Sequence, residues 1–480
     1  MSGKNRIYRA LRFLHCCAAA GPGEAMRRER ERQEDRRIAE ELKRGFAGGE
    51  KSDPAADRLP EGYACYTEPE GRLRPGALAV CARAIRETGA DLVYADEDWY
   101  IKQPGDLFHP GFKPDYGPDS LRGCNEMDAF LVYRKELLHA AGAESLAGMS
   151  GDERWDATIR MAEKARKIVH IPKILFYRKT ESEEAIPRPA VRRVKDPVHG
   201  RPLVSILIPN KDHREDLKRC IESILQKTSY DPYEILVLEN NSTEEETFRY
   251  YEELKEDPRI RVISLEGRFN FSAINNRGFA QARGEQILFL NNDTEVLSPD
   301  WIQEMLMYTT RKDVGAAGAK LYYPDGTIQH GGMGIGIKYA AGHYHRGWPG
   351  DSDGYRGRLQ YAQNVSAVTA ACMMVPRHVY EEMGGMDESF SVVFNDVDLC
   401  LRIRQAGYLI VWTPWAELVH YESKSRGDDD ETPAKKRFFV RETNRFLRKW
   451  HRTIEKGDPY YNLNLNRWKE DFSPRQAENE

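Results

Sequence analysis

The sequence predicts an α/β protein built on a mainly parallel sheet. Three observations carry this expectation. Apolar runs of strand length alternate with helical patterns from residue 203 onward. The first run, LVSILIP, is a nearly continuous apolar run interrupted only by Ser205, as a strand buried on both faces requires. Loops rich in Asn and Asp follow the strand ends, where open sheets of this kind place their sites.

The chain has 480 residues, room for two or three domains of about 150 residues each. Lys and Arg number 72 against 76 Asp and Glu, a net charge of -4 that argues against a dedicated nucleic-acid binder. Eight cysteines without a CxxC pair read as reduced thiols. In the N-terminal KNRIYRALRFLHCCAAAG, Arg9, Arg12 and His15 interrupt the apolar character, so a helix is expected there rather than a signal peptide. No stretch approaches the ~20 apolar residues of a membrane span, and the expected location is cytoplasmic.

Five segments follow in order. Residues 1–48 form a leader whose alternating charge blocks read as a solvated helix. Residues 49–180 form a first globular block, and 181–201 a polar, proline-containing linker. The main block, 202–430, opens with the LVSILIP strand. A helix over REDLKRCIESILQK follows, with Leu217, Ile221, Ile224 and Leu225 on one face and Asp212 placed to cap it. EILVLE, RVISLE and QILFL read as strands. FSAINNRGFAQAR reads as a helix capped by Ser272, and SPDWIQEMLMYTTR as one capped by Ser298 with Pro299 in its first turn. VFNDVDLCLRIRQAG puts Asp396 and Asp398 at the start of a helix that Gly407 ends. Residues 431–480 supply a basic amphipathic helix that could lie on an anionic membrane or pack on the main block, and then a tail.

SILIPNKD, VLENNS, LFLNNDTEV, FNDVDLCLR and HYESKSRG, in this order and spacing, resemble the family 2 glycosyltransferases with a GT-A fold, in particular those that build bacterial surface polysaccharides, rhamnosyl transferases among them. The resemblance implies a GT-A domain, a Rossmann-like and mainly parallel sheet, over 202–430. It implies a nucleotide-sugar donor bound by Pro209, Asn210, Asp212, Glu239, Asn240, Asn276, Asn292, Lys424 and Arg426. It implies Mn²⁺ or Mg²⁺ at Asp293, Asn291 and His420. A cation there offsets the charge of the departing diphosphate, although Asn291 stands where the family's motif begins with Asp. It makes Asp396 the base that takes the proton of the acceptor hydroxyl. A helix N-terminus should keep that carboxylate ionised, while Asp398 braces the site by pairing with Arg402. Asn240 stands where relatives carry an Asp that reads the base, and Ala370 where they carry Gly. His330, His343 and His345 lie in QHGGMGIGIKYAAGHYHRG, read as a loop covering donor or acceptor rather than a zinc cluster.

An internal comparison adds a second, degenerate copy of the acceptor-side half. Aligning Asp156 with Asp398 and Arg160 with Arg402 puts Arg154 opposite Asp396, and Tyr177 and Arg178 near the His420 position. Glu68-Pro69-Glu70 reads as a degraded metal strand. Asp96-Glu97-Asp98 falls against Tyr323-Pro324-Asp325 and reads as structural or as acceptor surface.

The expected function is transfer of a sugar, with inversion, from a nucleotide donor to a growing surface or lipid-linked glycan. Peripheral membrane contact is one option and no nucleic acid is involved. The alternatives are a non-catalytic glycan-binding scaffold and a sugar nucleotidyltransferase, although PNKDHRED lacks the Gly- and Arg-rich loop of the latter.

Overall fold

The computed structural model describes residues 58–421 and 433–475. The charged leader and the loop carrying Lys424 and Arg426 lie outside these residues. The chain forms two compact units. The first takes residues up to Arg193 together with Asp458–Arg467 and the residues from Phe472; the second takes Val194–Gly457 and Trp468–Asp471.

The first unit is a sheet of β1 (Tyr63–Thr67), β2 (Arg72–Leu73), β3 (Leu92–Tyr100), β4 (Phe130–Arg134) and β5 (Ile168–Lys179), in the order β1-β4-β3-β5-β2. Alternation along β3 sends Leu92 and Tyr94 into one apolar cluster and Val93 and Ala95 into another, so both faces are covered. Helix Ala77–Thr88 packs Cys81 and Ile85 on the second of these faces. Helix Gly151–Lys164 starts in a capping box between Ser150 and Glu153 and packs Ala157 and Met161 on the first. Asp96, Glu97 and Asp98 are buried. Asp96 accepts from the Lys113 N–H at 2.8 Å and from Asn462 of the tail at 3.0 Å, and pairs with His170 at 2.9 Å.

The second unit holds β6 (Val204–Asn210), β7 (Tyr233–Glu239), β8 (Ile260–Ser264), β9 (Gln286–Leu290), β10 (Thr294–Val296), β11 (Val314–Tyr322), β12 (Ile328–His330), β13 (Met333–Ile335), β14 (Ala341–His343), β15 (Gln363–Asn364), β16 (Cys372–Pro376) and β17 (Leu409–His420). The main path is β10-β17-β11-β16-β9-β6-β7-β8, with β12 on β11 and β15 on β17. Strands β9, β6, β7 and β8 are all parallel, as the apolar runs require. The other half is mixed: β16 runs antiparallel to both of its neighbours. Ile206 and Ile208 share one core with Leu217, Ile221 and Ile224 of helix Arg214–Lys227 and with Trp301 and Met305 of helix Trp301–Thr309.

Three expected caps are not caps. His213, left-handed at φ 50°, precedes helix Arg214–Lys227 with no side-chain cap. Helix Phe271–Phe279 is capped by Asn270, because Ser272 sits inside it and donates to the Phe390 carbonyl. Ser298 lies short of Trp301–Thr309 and accepts instead from the Glu417 N–H at 2.9 Å.

The five strands of the first unit follow the order and sense of β9-β16-β11-β17-β10, strand for strand and in the same chain order. Thr67 pairs with Phe130 as Leu290 pairs with Cys372, and Leu73 with Phe176 as Val296 with Leu418. This register sets Glu68 and Glu70 at the places of Asn291 and Asp293. Glu97 pairs with Phe176 as Leu321 pairs with Leu418, which sets Arg178 at the place of His420. The same register corrects the alignment of Asp96-Glu97-Asp98: it matches Lys320–Tyr322, not Tyr323–Asp325, because β3 and β11 both bulge at this point and the sequence does not display the bulge.

Candidate active site

Strand β9 ends at Leu290, and Asn291, Asn292 and Asp293 form the turn into β10. Antiparallel pairing of β10 with β17 sets His420 opposite Thr294, next to Asp293. His420 Nε2 lies 3.1 Å from Asp293 Oδ1 and 3.1 Å from Asn291 Nδ2. The three residues expected at the metal are thus brought together.

The far side of the ring fixes its chemistry. Nδ1 of His420 lies 2.7 Å from Oε1 of Gln329, and the Gln329 amide also donates to the His420 carbonyl at 3.4 Å. An amide oxygen only accepts, so Nδ1 carries a proton, and in the neutral ring the Nε2 lone pair faces Asn291 and Asp293. Oδ1 of Asp293 is buried and has no hydrogen-bond donor. Burial alone would raise this carboxyl, but a protonated His420 ring, donating from Nε2, holds it below its ordinary value, so the turn calls for positive charge. Two electron-pair donors facing each other in a buried turn fit a bound cation, with diphosphate oxygens to complete its shell. Among the described residues no group of three or more His, Cys, Asp or Glu side chains converges as a metal site. Gln329 was not singled out from the sequence; its only signal was its place at the start of the histidine-rich stretch.

Around this turn lies a polar network at the ends of β6 and β7. Asn292 donates to Asn210 at 2.6 Å, and Asn210 donates to the Tyr251 hydroxyl at 2.7 Å. Glu239 accepts from Tyr251 at 2.7 Å and from the Ser242 N–H at 2.7 Å. Asn240 donates to the carbonyl of Leu265 at 2.7 Å and keeps a buried Oδ1 without a donor. Pro209 directly precedes Asn210 in β6. Asp212 serves another helix than expected: it accepts from the N–H groups of Thr243 and Glu244, at 2.7 and 2.9 Å, ahead of helix Glu245–Leu254. Asn276 is spent elsewhere too. It accepts from Tyr380 and from the Met386 N–H and donates to Met386 and Glu388, bracing the 385–388 loop. Gly385, at φ 79°, is required there, since a Cβ would meet Asn276 Oδ1 at 2.5 Å.

Asp396 stands in the first turn of helix Asn395–Gln405. Its Oδ2 accepts from the Ala370 N–H at 3.1 Å and its Oδ1 from the Val397 N–H at 2.8 Å. The next residue, Ala371, accepts the Asn291 N–H at 3.1 Å, so consecutive residues tie Asp396 to the 291–293 turn. At this helix start desolvation outweighs the amide bonds, and the pKa of the carboxyl is raised from its ordinary value. Asp398 is buried and pairs with Arg402 at 2.9 Å.

His330 and His343 meet at 2.9 Å between Nδ1 atoms, and burial, with His343 and His420 nearby, keeps His330 neutral. His345 turns away and accepts from the Tyr355 N–H at 3.0 Å.

A family model described as "Glycosyl transferase family 2" matches residues 205–384. The y4gI protein of Sinorhizobium fredii is 39% identical over 455 residues, covering 86% of this chain and 50% of that protein. The O-antigen biosynthesis protein RfbC of Myxococcus xanthus is 36% identical over 435 residues, covering 82% of this chain and 33% of that protein. An N-acetylglucosaminyl-diphospho-decaprenol L-rhamnosyltransferase of Mycobacterium tuberculosis is 26% identical over 253 residues, 48% of this chain and 78% of that enzyme. The chain therefore spans half or less of the length of the first two relatives.

Proposed function

We propose, from the match of residues 205–384 to glycosyl transferase family 2, that the protein transfers a sugar from a nucleotide donor to a growing surface or lipid-linked glycan. The observation that carries the reading is the facing pair Asp293 Oδ1 and His420 Nε2, 3.1 Å apart at a strand end that Ala370 and Ala371 link to Asp396. A divalent cation bound there would neutralise the diphosphate as it leaves. Asn210, Glu239, Asn240 and Asn292 line the nucleotide crevice, and Lys424 and Arg426 bring positive charge to the diphosphate. Asp396 takes the proton of the acceptor hydroxyl while that oxygen attacks the anomeric carbon. The bond to the diphosphate breaks in the same displacement, and the sugar inverts. A carboxylate of raised pKa beside an amide-lined turn suits this proton transfer.

The first unit, in this reading, is a partial copy that has lost the chemistry. In register with Asp396 stands Arg154, bound to Asp128 at 2.8 Å. In register with His420 stands Arg178, bound to Glu68 at 2.7 Å. Ion pairs thus stand where the second unit has its base and its metal turn. The first unit braces the protein or holds acceptor.

No helix among the described residues is long and apolar enough to cross a membrane. The apolar face of helix Pro433–Lys456 is covered within its own unit: Phe446, Leu447, Trp450 and Ile454 are buried. Arg437, Arg441, Arg448 and Arg452 are exposed and support contact with an anionic surface, where lipid-linked acceptors sit.

A thermal-shift screen of UDP-, GDP- and dTDP-sugars with Mn²⁺ or Mg²⁺ tests the reading. One nucleotide should stabilise the protein, and only with metal, by about 2.7 kcal/mol at a hundredfold excess over its Kd. No stabilisation by any of them would overturn it.

A further inference from the structure

Helix Pro433–Lys456 grips both sides of Asp396. Upstream, the carboxylate of Glu442, 4% exposed, accepts four hydrogen bonds from the segment that leads into the Asp396 helix. Oε1 takes the Ser391 N–H at 2.7 Å and the Ser391 hydroxyl at 2.8 Å. Oε2 takes the N–H of Val392 at 3.2 Å and of Val393 at 2.8 Å. Three consecutive amides wrapped around one carboxylate form a nest, an arrangement that binds anions.

The next residue, Phe394, is left-handed at φ 62°. That conformation is unfavourable for a bulky side chain and persists only where its surroundings impose it. Phe446, one helical turn beyond Glu442, stacks on the Phe394 ring at 4.7 Å. Downstream, Lys449 and Trp450 of the same helix reach the buried Asp398, at 2.6 and 2.9 Å. Asp396 lies between the two grips.

We propose that Glu442 is a positioning residue: by filling the 391–393 amide nest it imposes the Phe394 turn, and that turn aims the Asp396 carboxylate at Ala370 and the metal turn. The inference rests on the reading of Asp396 as the base. It assigns to the C-terminal helix a part in catalysis that neither its basic character nor the family match to 205–384 indicates.

The test uses the 480-residue chain with Glu442→Ala, Glu442→Gln and Asp396→Asn in parallel. Water is the acceptor, and turnover is measured on a panel of UDP-, GDP- and dTDP-sugars with Mn²⁺. Amide hydrogen exchange is followed over 389–398. Glu442→Ala should lower kcat at least tenfold, leave KM for donor within twofold, and speed exchange at 391–393 without speeding it in β6 to β9. Glu442→Gln keeps one oxygen and two of the four bonds, and should fall between Ala and the parent. A Glu442→Ala kcat within twofold of the parent, while Asp396→Asn loses turnover, overturns this inference and leaves the base assignment standing. Turnover retained by Asp396→Asn overturns both. Exchange that rises throughout the second unit in Glu442→Ala would mean plain structural support, and overturns the positioning role.

Discussion

Nε2 of His420 and Oδ1 of Asp293 face each other at 3.1 Å, and in the neutral imidazole the one N–H is committed to Gln329 on the opposite side of the ring. Such a pair is repulsive until a positive charge lies between or beside it, so the turn should depend on metal. Asp293→Ala should abolish stabilisation by Mn²⁺ with a nucleoside diphosphate, leaving the metal-free melting temperature little changed. Gln329→Leu should weaken Mn²⁺ by ~10- to 100-fold, the usual effect of losing an orienting partner. Titration calorimetry with Mn²⁺ and UDP, GDP or dTDP reads both; equal affinity in parent and Asp293→Ala would remove the site.

Asp396 is tested by its pH profile as well as by its removal. Asp396→Asn keeps the volume and can still accept from Ala370, so donor affinity should survive while turnover falls ~10² or more. Because burial raises the carboxyl, the acidic limb of the parent's kcat should lie above the ordinary carboxylate range, with activity rising as pH passes through it. Residual activity of Asp396→Asn should lack that limb. A limb unchanged in Asp396→Asn would assign it to another group.

Much of this site was legible in the sequence because it sits on local signals. The apolar runs of β6, β7 and β9 place the turns, and Asn291, Asp293 and His420 converge through the pairing of β10 with β17. Helix Arg214–Lys227 was readable to the residue from its apolar face. What escaped depends on partners far along the chain. Ser272, Ser298 and Asp212 have cap chemistry, but each finds its partner elsewhere: at Phe390, at Glu417 and at Thr243 with Glu244. Gln329 lies 91 residues from His420 and Glu442 51 residues from Ser391, with no periodicity linking either pair. The upward shift of Asp396 was not legible, because amide bonds can be counted from a helix start, whereas desolvation needs the packed fold.

The ion pairs of the first unit should support stability and not turnover. Arg178 spans Glu68 and the buried Glu97, at 2.7 and 3.6 Å. Its removal strands part of that charge, although Lys113 still neutralises Glu97 at 2.8 Å. Arg178→Met should therefore cost roughly 1–2 kcal/mol, below the figure for a fully buried pair. Metal-dependent donor hydrolysis, assayed well below the melting temperature, should stay within twofold of the parent. A loss as deep as that of Asp293→Ala would give the first unit a share in the chemistry.

Asp98 offers a pH-linked test of the first unit's core. Its Oδ1 accepts from the N–H groups of Trp99 and His109, both at 2.9 Å, but its Oδ2 is buried without a donor. Burial outweighs those bonds, with Glu97 adding repulsion, and the carboxyl is pushed up to about 7. Between about pH 4 and pH 7 the folded protein then holds a proton that the unfolded chain releases near the ordinary carboxylate value. Stability from this group is complete below that lower value and is lost as pH rises toward 7, where ionisation must occur in the core. Asp98→Asn keeps the two acceptor bonds and cannot ionise. Its melting temperature relative to the parent should therefore be higher at pH 8 than at pH 4.5, with a gain on the order of 2–4 kcal/mol between them. Calorimetry of both proteins across that range checks the sign. A difference that does not vary with pH would mean that Asp98 ionises at its ordinary value and that the interior of the first unit admits water.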